Sequence, residues 1–138
     1  MPIRREIGYA EARQLTGTVA DGLEADGLGA AVAAVDAHGE LVAFLRTDDC
    51  PLPSIKIAIQ KAFTAARERQ ESRALGDLAR EQDFPLTNFG EIGYVGWGGG
   101  VPIVVDDQVI GAIGISGLPE EEDMRRARGA VAEFGSRG

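Results

Sequence analysis

The stretch 98–117, GGGVPIVVDDQVIGAIGISG, constrains the fold more than any other part of the chain. Two β-branched runs, 101–105 and 109–115, flank the acidic pair Asp106-Asp107. A short turn between Val- and Ile-rich runs is the signature of a β-hairpin. Gly98, Gly99 and Gly100 precede the first strand, and Gly111, Gly114 and Gly117 thin the second. Backbone without a Cβ can be approached closely, by a ligand or by a neighbouring helix. The stretch predicts a soluble α/β domain with one glycine-lined concavity.

The rest of the chain supplies the partners of this hairpin. Over 9–26, Ala12, Leu15, Val19 and Leu23 recur at helical spacing, and the helix ends at Gly27, a residue that adopts the left-handed cap conformation cheaply. Two strands, 30–36 and 41–47, follow around the turn Ala37-His38-Gly39-Glu40. An acidic, proline-containing loop then leads to Ser54, an N-cap for a helix over 55–69. In that helix Ile55, Ala58, Ile59, Ala62 and Ala66 form a stripe suited to a sheet. Ile57, Lys61 and Thr64 form a second stripe: either a solvated face, or a pocket or subunit contact in which Lys61 supplies a cation and Thr64 a hydroxyl.

A shorter helix over 72–81 turns Leu75 and Leu78 inward and ends before Asp83-Phe84-Pro85. Residues 91–95 are a candidate edge strand, and Trp97 between Gly96 and Gly98 is either a cover over the core or a stacking wall for a flat ligand. After Pro119, acids at 120–123 precede Arg125, Arg126 and Arg128, which complements a helix dipole. Met124, Ala127, Val131 and Phe134 make the buried stripe of this last helix; Asp123 falls on its edge, half-buried, and needs a partner.

The 138 residues, 44% hydrophobic, suffice for one core, so 1–138 reads as a single domain. A net charge of −8 without a basic patch opposes nucleic acid and anionic membrane as partners. No stretch approaches the roughly 20 apolar residues of a membrane span. The one cysteine, Cys50, cannot form an intrachain disulfide and needs no oxidising compartment, so a cytoplasmic location is expected. Next to Asp48 and Asp49 its thiol pKa should be raised, which makes it a structural or pocket-lining cysteine rather than a nucleophile. His38, the one histidine, reads as a solvated turn residue; it cannot build a multi-histidine metal site, and no metal is expected.

Three elements taken together closely resemble the GlcG/HbpS-like family of small haem-binding and haem-degrading domains, which also occurs at the C-terminus of PduO-type cobalamin adenosyltransferases. They are KAxTA (Lys61, Ala62, Thr64, Ala65), GGxP (Gly99, Gly100, Pro102) and IGxxGxSG (Ile110, Gly111, Gly114, Ser116, Gly117), within a similarity covering 9–131. The resemblance implies a profilin-like α+β fold, an antiparallel sheet of about five strands with helices packed on it, and assembly into dimers or octamers. It also implies a small-molecule pocket, with haem or a corrinoid-linked role in some members. Two departures stand out: Asp106-Asp107 where the family has Asp-Gly, and Gly117-Leu118-Pro119 where it has Gly-Gly-Thr at the pocket rim. Haem sites mostly need an axial ligand, and none is identifiable among His38, Cys50, Tyr9, Tyr94 and Met124.

Three functions follow as expectations. The first is a homo-oligomeric binding module whose small organic or haem-like ligand meets Lys61, Thr64, Trp97, Gly99, Gly100 and Ser116. The second is a cofactor-free isomerase, lyase or cyclase of a catabolic or biosynthetic operon, with Lys61 or Asp123 as catalytic acid/base. The third is a structural or regulatory oligomer without a ligand. Lys61 and Asp123 should lie within reach of one another or of a shared ligand. A shifted pKa at either residue facing an empty cavity favours the enzyme; an ion pair filling the space favours the structural role.

Overall fold

Strand β1 (Ala31–Asp36), AVAAVD, is buried on both faces as far as Val35, and small and β-branched side chains let helices cover it from either side. The computed structural model describes residues 5–136. Around β1 stand β2 (Leu41–Arg46), β3 (Gly100–Val105) and β4 (Gln108–Ser116), in the sheet order β2-β1-β4-β3 with every pair antiparallel. The helices are α1 (Tyr9–Ala25), α2 (Leu52–Glu68), α3 (Ser72–Gln82) and α4 (Glu120–Ser136), with a 3-10 turn at Leu86–Phe89.

Period-two alternation sorts the sheet into two cores. Val32, Ala34, Ile113 and Ile115 face Leu15, Val19 and Leu23 of α1 and Ala127 of α4. Ala31, Ala33, Val35 and Ala112 face Ala58, Ala62, Ala65 and Ala66 of α2. The second core is made almost wholly of alanine, so α2 lies close upon the sheet. At Gly114 it comes so near that a Cβ would overlap the Ala58 carbonyl and the Ala62 amide. The neighbour that Gly114 admits is therefore a helix.

Several expectations are corrected. The sheet has four strands rather than about five, because 91–95 forms turns: Gly93 N–H binds the Glu91 carboxylate at 3.1 Å, and Val95 N–H donates to the Thr64 hydroxyl at 3.0 Å instead of to a strand. Helix α2 starts at Leu52 with Pro51 as N-cap, and Ser54 lies inside its first turn; proline there already has helical φ and needs no N–H partner. Leu78 is exposed, because α3 buries Ser72, Leu75, Gly76 and Ala79, the i, i+3, i+4, i+7 face. Asp106 and Asp107 both adopt positive φ, 51° and 63°, the type I′ geometry that suits the twist of a tight hairpin. No helix among the described residues is long and apolar enough to cross a membrane.

Candidate functional site

Lys61 stands on α2 and Asp123 in the first turn of α4. The Lys61 Nζ donates to the Asp123 Oδ2 at 3.2 Å and to the Ile115 carbonyl at 2.8 Å, while the Asp123 Oδ1 accepts the Leu118 N–H at 3.2 Å. Each residue is 2% exposed. The second stripe of α2 is thus not a solvated face, and Asp123 is fully rather than half buried. Burial lowers the Lys61 pKa and raises that of Asp123, and the attraction between the two opposes both shifts. Gly99 closes the site at φ 128°; a Cβ there would lie 2.9 Å from the Lys61 Nζ. Neither Lys61 nor Asp123 lines the cleft described below. The two residues are within reach of one another and bonded to each other in a buried position.

The loop between the 3-10 turn and β3 is laced down from beneath. Besides the bond from Thr64 to Val95, the Ser72 hydroxyl donates to the Trp97 carbonyl at 2.7 Å and accepts the Gly100 N–H at 2.9 Å. Glu120 accepts the Gly98 N–H at 2.6 Å. A Cβ on Gly100 would collide with the Lys61 carbonyl and the Ser72 hydroxyl. Of the predicted contacts, Lys61, Thr64, Gly99, Gly100 and Ser116 are gathered but buried, Ser116 by pairing with Ala31. Trp97 alone presents its side chain outward, 58% exposed.

The indole borders a cleft of about 600 Å³ that the sequence reading missed. Gly76, Gly96, Phe84, Pro85 and Leu86 line it together with Trp97, and Arg80 and Asp83 are its charged lining residues. From Phe84 in its lining, Phe89, Tyr94 and Phe63 follow ring to ring with centroids 5.6, 6.1 and 5.9 Å apart, spacings at which aromatic pairs attract. The available signals were Gly76 inside a helix and the Phe-Pro pair after it.

None of the candidate axial ligands borders this cleft. The Tyr94 hydroxyl donates to Glu68 at 2.6 Å, Met124 packs against Gly98, and Tyr9 is exposed on α1. The Cys50 thiol is raised, the expected direction, but by burial rather than by Asp48 and Asp49, with Arg46 in opposition. His38 is exposed in its turn and stands 3.0 Å from Glu6.

A four-stranded antiparallel sheet between helices, with a braced glycine loop that presents one exposed tryptophan beside a cleft, defines a small α+β domain. The family model described as haem degrading protein HbpS-like matches residues 7–132, and the chain belongs to this family. A 15.0 kDa protein of the dhaT-dhaS intergenic region of Citrobacter freundii is 35% identical over 104 residues, 72% of either chain. Protein GlcG of Escherichia coli strain K12 is 36% identical over 91 residues, and the match spans 62% of its length and of this chain. The solved PduOC:heme complex is 29% identical, with a TM-score of 0.83 over 92% of this chain and 94% of that one.

Proposed function

We propose that this domain is a small-molecule-binding module whose ligand, a flat organic anion of the haem type, lies in the cleft beside Trp97. The observation that carries this reading is the indole itself: an exposed aromatic side chain on a tightly bonded loop, lining the same cleft as Phe84, Pro85 and Leu86. Stacking a planar ring system on such a wall buries apolar area at little conformational cost. Arg80 in the lining offers a guanidinium for a carboxylate, the charge a haem-like ligand carries at its edge. The haem in the PduOC relative supports this class of ligand.

Lys61, Thr64, Gly99, Gly100 and Ser116 act in this reading by shaping the loop from below. The sealed Lys61–Asp123 geometry favours a brace over an acid/base role. Haem held here would be gripped by its face and its carboxylates, without an axial side chain, and its spectrum would lack a sharp low-spin band. Assembly into a dimer or octamer is part of the proposal, because exposed apolar residues such as Leu52 and Ile92 are surface that self-association covers; light scattering that finds a monomer at micromolar concentration would remove it. We place the module in the cytoplasm, where its free thiol is stable.

Haemin titration tests the ligand reading. Trp97 is the only tryptophan, so quenching of its emission should saturate at one haemin per chain. By Soret absorbance, Trp97→Ala and Arg80→Ala should each weaken binding by about tenfold or more, the loss expected of an aromatic or arginine anchor. Binding unchanged in Trp97→Ala would sink the proposed site.

A further inference from the structure

Away from the cleft, the turn between β1 and β2 collects three side chains that lie far apart in the chain. Glu6, from the segment ahead of α1, reaches this turn: its Oε1 accepts the Ala37 N–H at 3.0 Å and stands 3.0 Å from the His38 Nδ1. Asp36 accepts the N–H groups of His38 and Glu40 on Oδ1, at 2.9 and 3.0 Å. One ligand atom from each of Glu6, Asp36 and His38 lies within 4.8 Å of the other two. We propose that these three residues bind a divalent transition-metal ion of the zinc type.

The donor set selects the class of ion. Calcium and magnesium take oxygen ligands, and soft ions take thiolates; one imidazole with two carboxylates suits zinc, cobalt or nickel. Bonds of about 2.0–2.2 Å set tetrahedral zinc ligands about 3.4 Å apart, so Glu6 and His38 need to part by only a few tenths of an ångström. The ion takes the place of the Glu6–His38 hydrogen bond: the imidazole coordinates through Nδ1 in its neutral form and carries its proton on Nε2. Two carboxylates balance the charge of the ion, and water completes the shell. The backbone N–H groups of Ala37, His38 and Glu40 hold the carboxylates as outer partners hold metal ligands elsewhere. Arg69, whose guanidinium donates to the Ala37 carbonyl at 2.9 Å, is the neighbouring charge that opposes a cation.

The test is a calorimetric titration of the full chain, without a histidine tag and stripped of metal by chelation, with zinc chloride. One zinc per chain should bind, and the ring signals of the single imidazole should shift to completion at one equivalent. His38→Ala and Glu6→Gln should each weaken binding by at least about tenfold, Arg69→Gln should tighten it, and calcium should give no comparable heat. Both ligand substitutions fall on exposed side chains, and circular dichroism will confirm that the variants fold. No uptake of zinc by the wild type, or uptake that His38→Ala leaves unchanged, overturns the proposal.

Discussion

Gly76 of α3 meets Gly96 backbone to backbone: a Cβ on Gly76 would overlap the Gly96 carbonyl. The helix and the loop that carries Trp97 are thus held at a distance only two glycines allow. Gly76→Ala improves helix propensity by about 1 kcal/mol yet forces the loop outward, and overpacking of this kind costs about 1–3 kcal/mol. We expect a net loss of stability in urea together with a shift of the Trp97 emission maximum. An unshifted emission with raised stability would show that the contact has room to relax.

Lys61→Met should be severe. The methionine fills most of the space, but Asp123 then keeps a buried charge with no cation, and a broken buried pair costs about 3–5 kcal/mol. Lys61→Met combined with Asp123→Asn removes that charge and keeps an acceptor for the Leu118 N–H, so the double variant should unfold at a higher denaturant concentration than Lys61→Met alone. Losses that simply add in a double-mutant cycle would mean that the two residues do not act as a pair.

Acid should weaken α4 through Glu122. Hydrogen bonds from Arg125 and Arg126 hold its carboxyl at about 2, below the ordinary 4.5. A depressed pKa gives stability that is present above pH 4.5 and is lost as pH falls toward 2. Glu122→Gln should lower stability at neutral pH and flatten the profile in that window, so that variant and wild type converge toward pH 2, as thermal unfolding across acid and neutral buffers will report.

At the alkaline end, burial and then the bond to Glu68 push the Tyr94 hydroxyl up to about 12 from 10. A proton held more tightly in the folded state gives stability that is complete below pH 10 and lost as pH rises toward 12. Tyrosinate absorbance should therefore show a late phase that Tyr94→Phe abolishes. A phase unaffected by this substitution would place the perturbed hydroxyl elsewhere.

Asp107 holds φ 63° without being glycine. Asp107→Gly should raise stability by up to about 1 kcal/mol, since glycine enters this region without a Cβ penalty. Equal or lower stability on chemical denaturation would show that the unfolded chain's gain in freedom outweighs the relief.

Periodicity carried most of the architecture: the stripes of α1 and α4 and the β3–β4 hairpin follow from repeats of 3.6 and 2, which report which face is buried. It could not say what buries a face. The glycines at 99, 100 and 114 read equally as room for a ligand or for a helix, and only the packing of α2 distinguishes them. Lys61 looked like a residue of an outer face because its cover comes from the glycine loop and the first turn of α4, distant in the chain and invisible to the period of α2. Ser54 looked like a cap because its chemistry suits one, yet Pro51 and Pro53 had already set the backbone. The cleft and the Glu6–His38 contact depend on residues far apart in the chain, where local pattern carries no information.

The order of the strands also bears on how the protein is made. β1 pairs with β2 at once through a tight turn, but its other edge waits for β4, as Ala31 opposite Ser116 and Val32 opposite Ile115 show. Contacts between such distant residues form slowly, because a long stretch of chain must be ordered to close them. Until 108–116 leave the ribosome, the growing chain carries an alanine- and valine-lined strand with one edge unpaired, the kind of surface on which nascent proteins aggregate. Yield in the cell should therefore depend on translation speed through the stretch between α2 and β4, and on chaperones that shield the edge in the meantime.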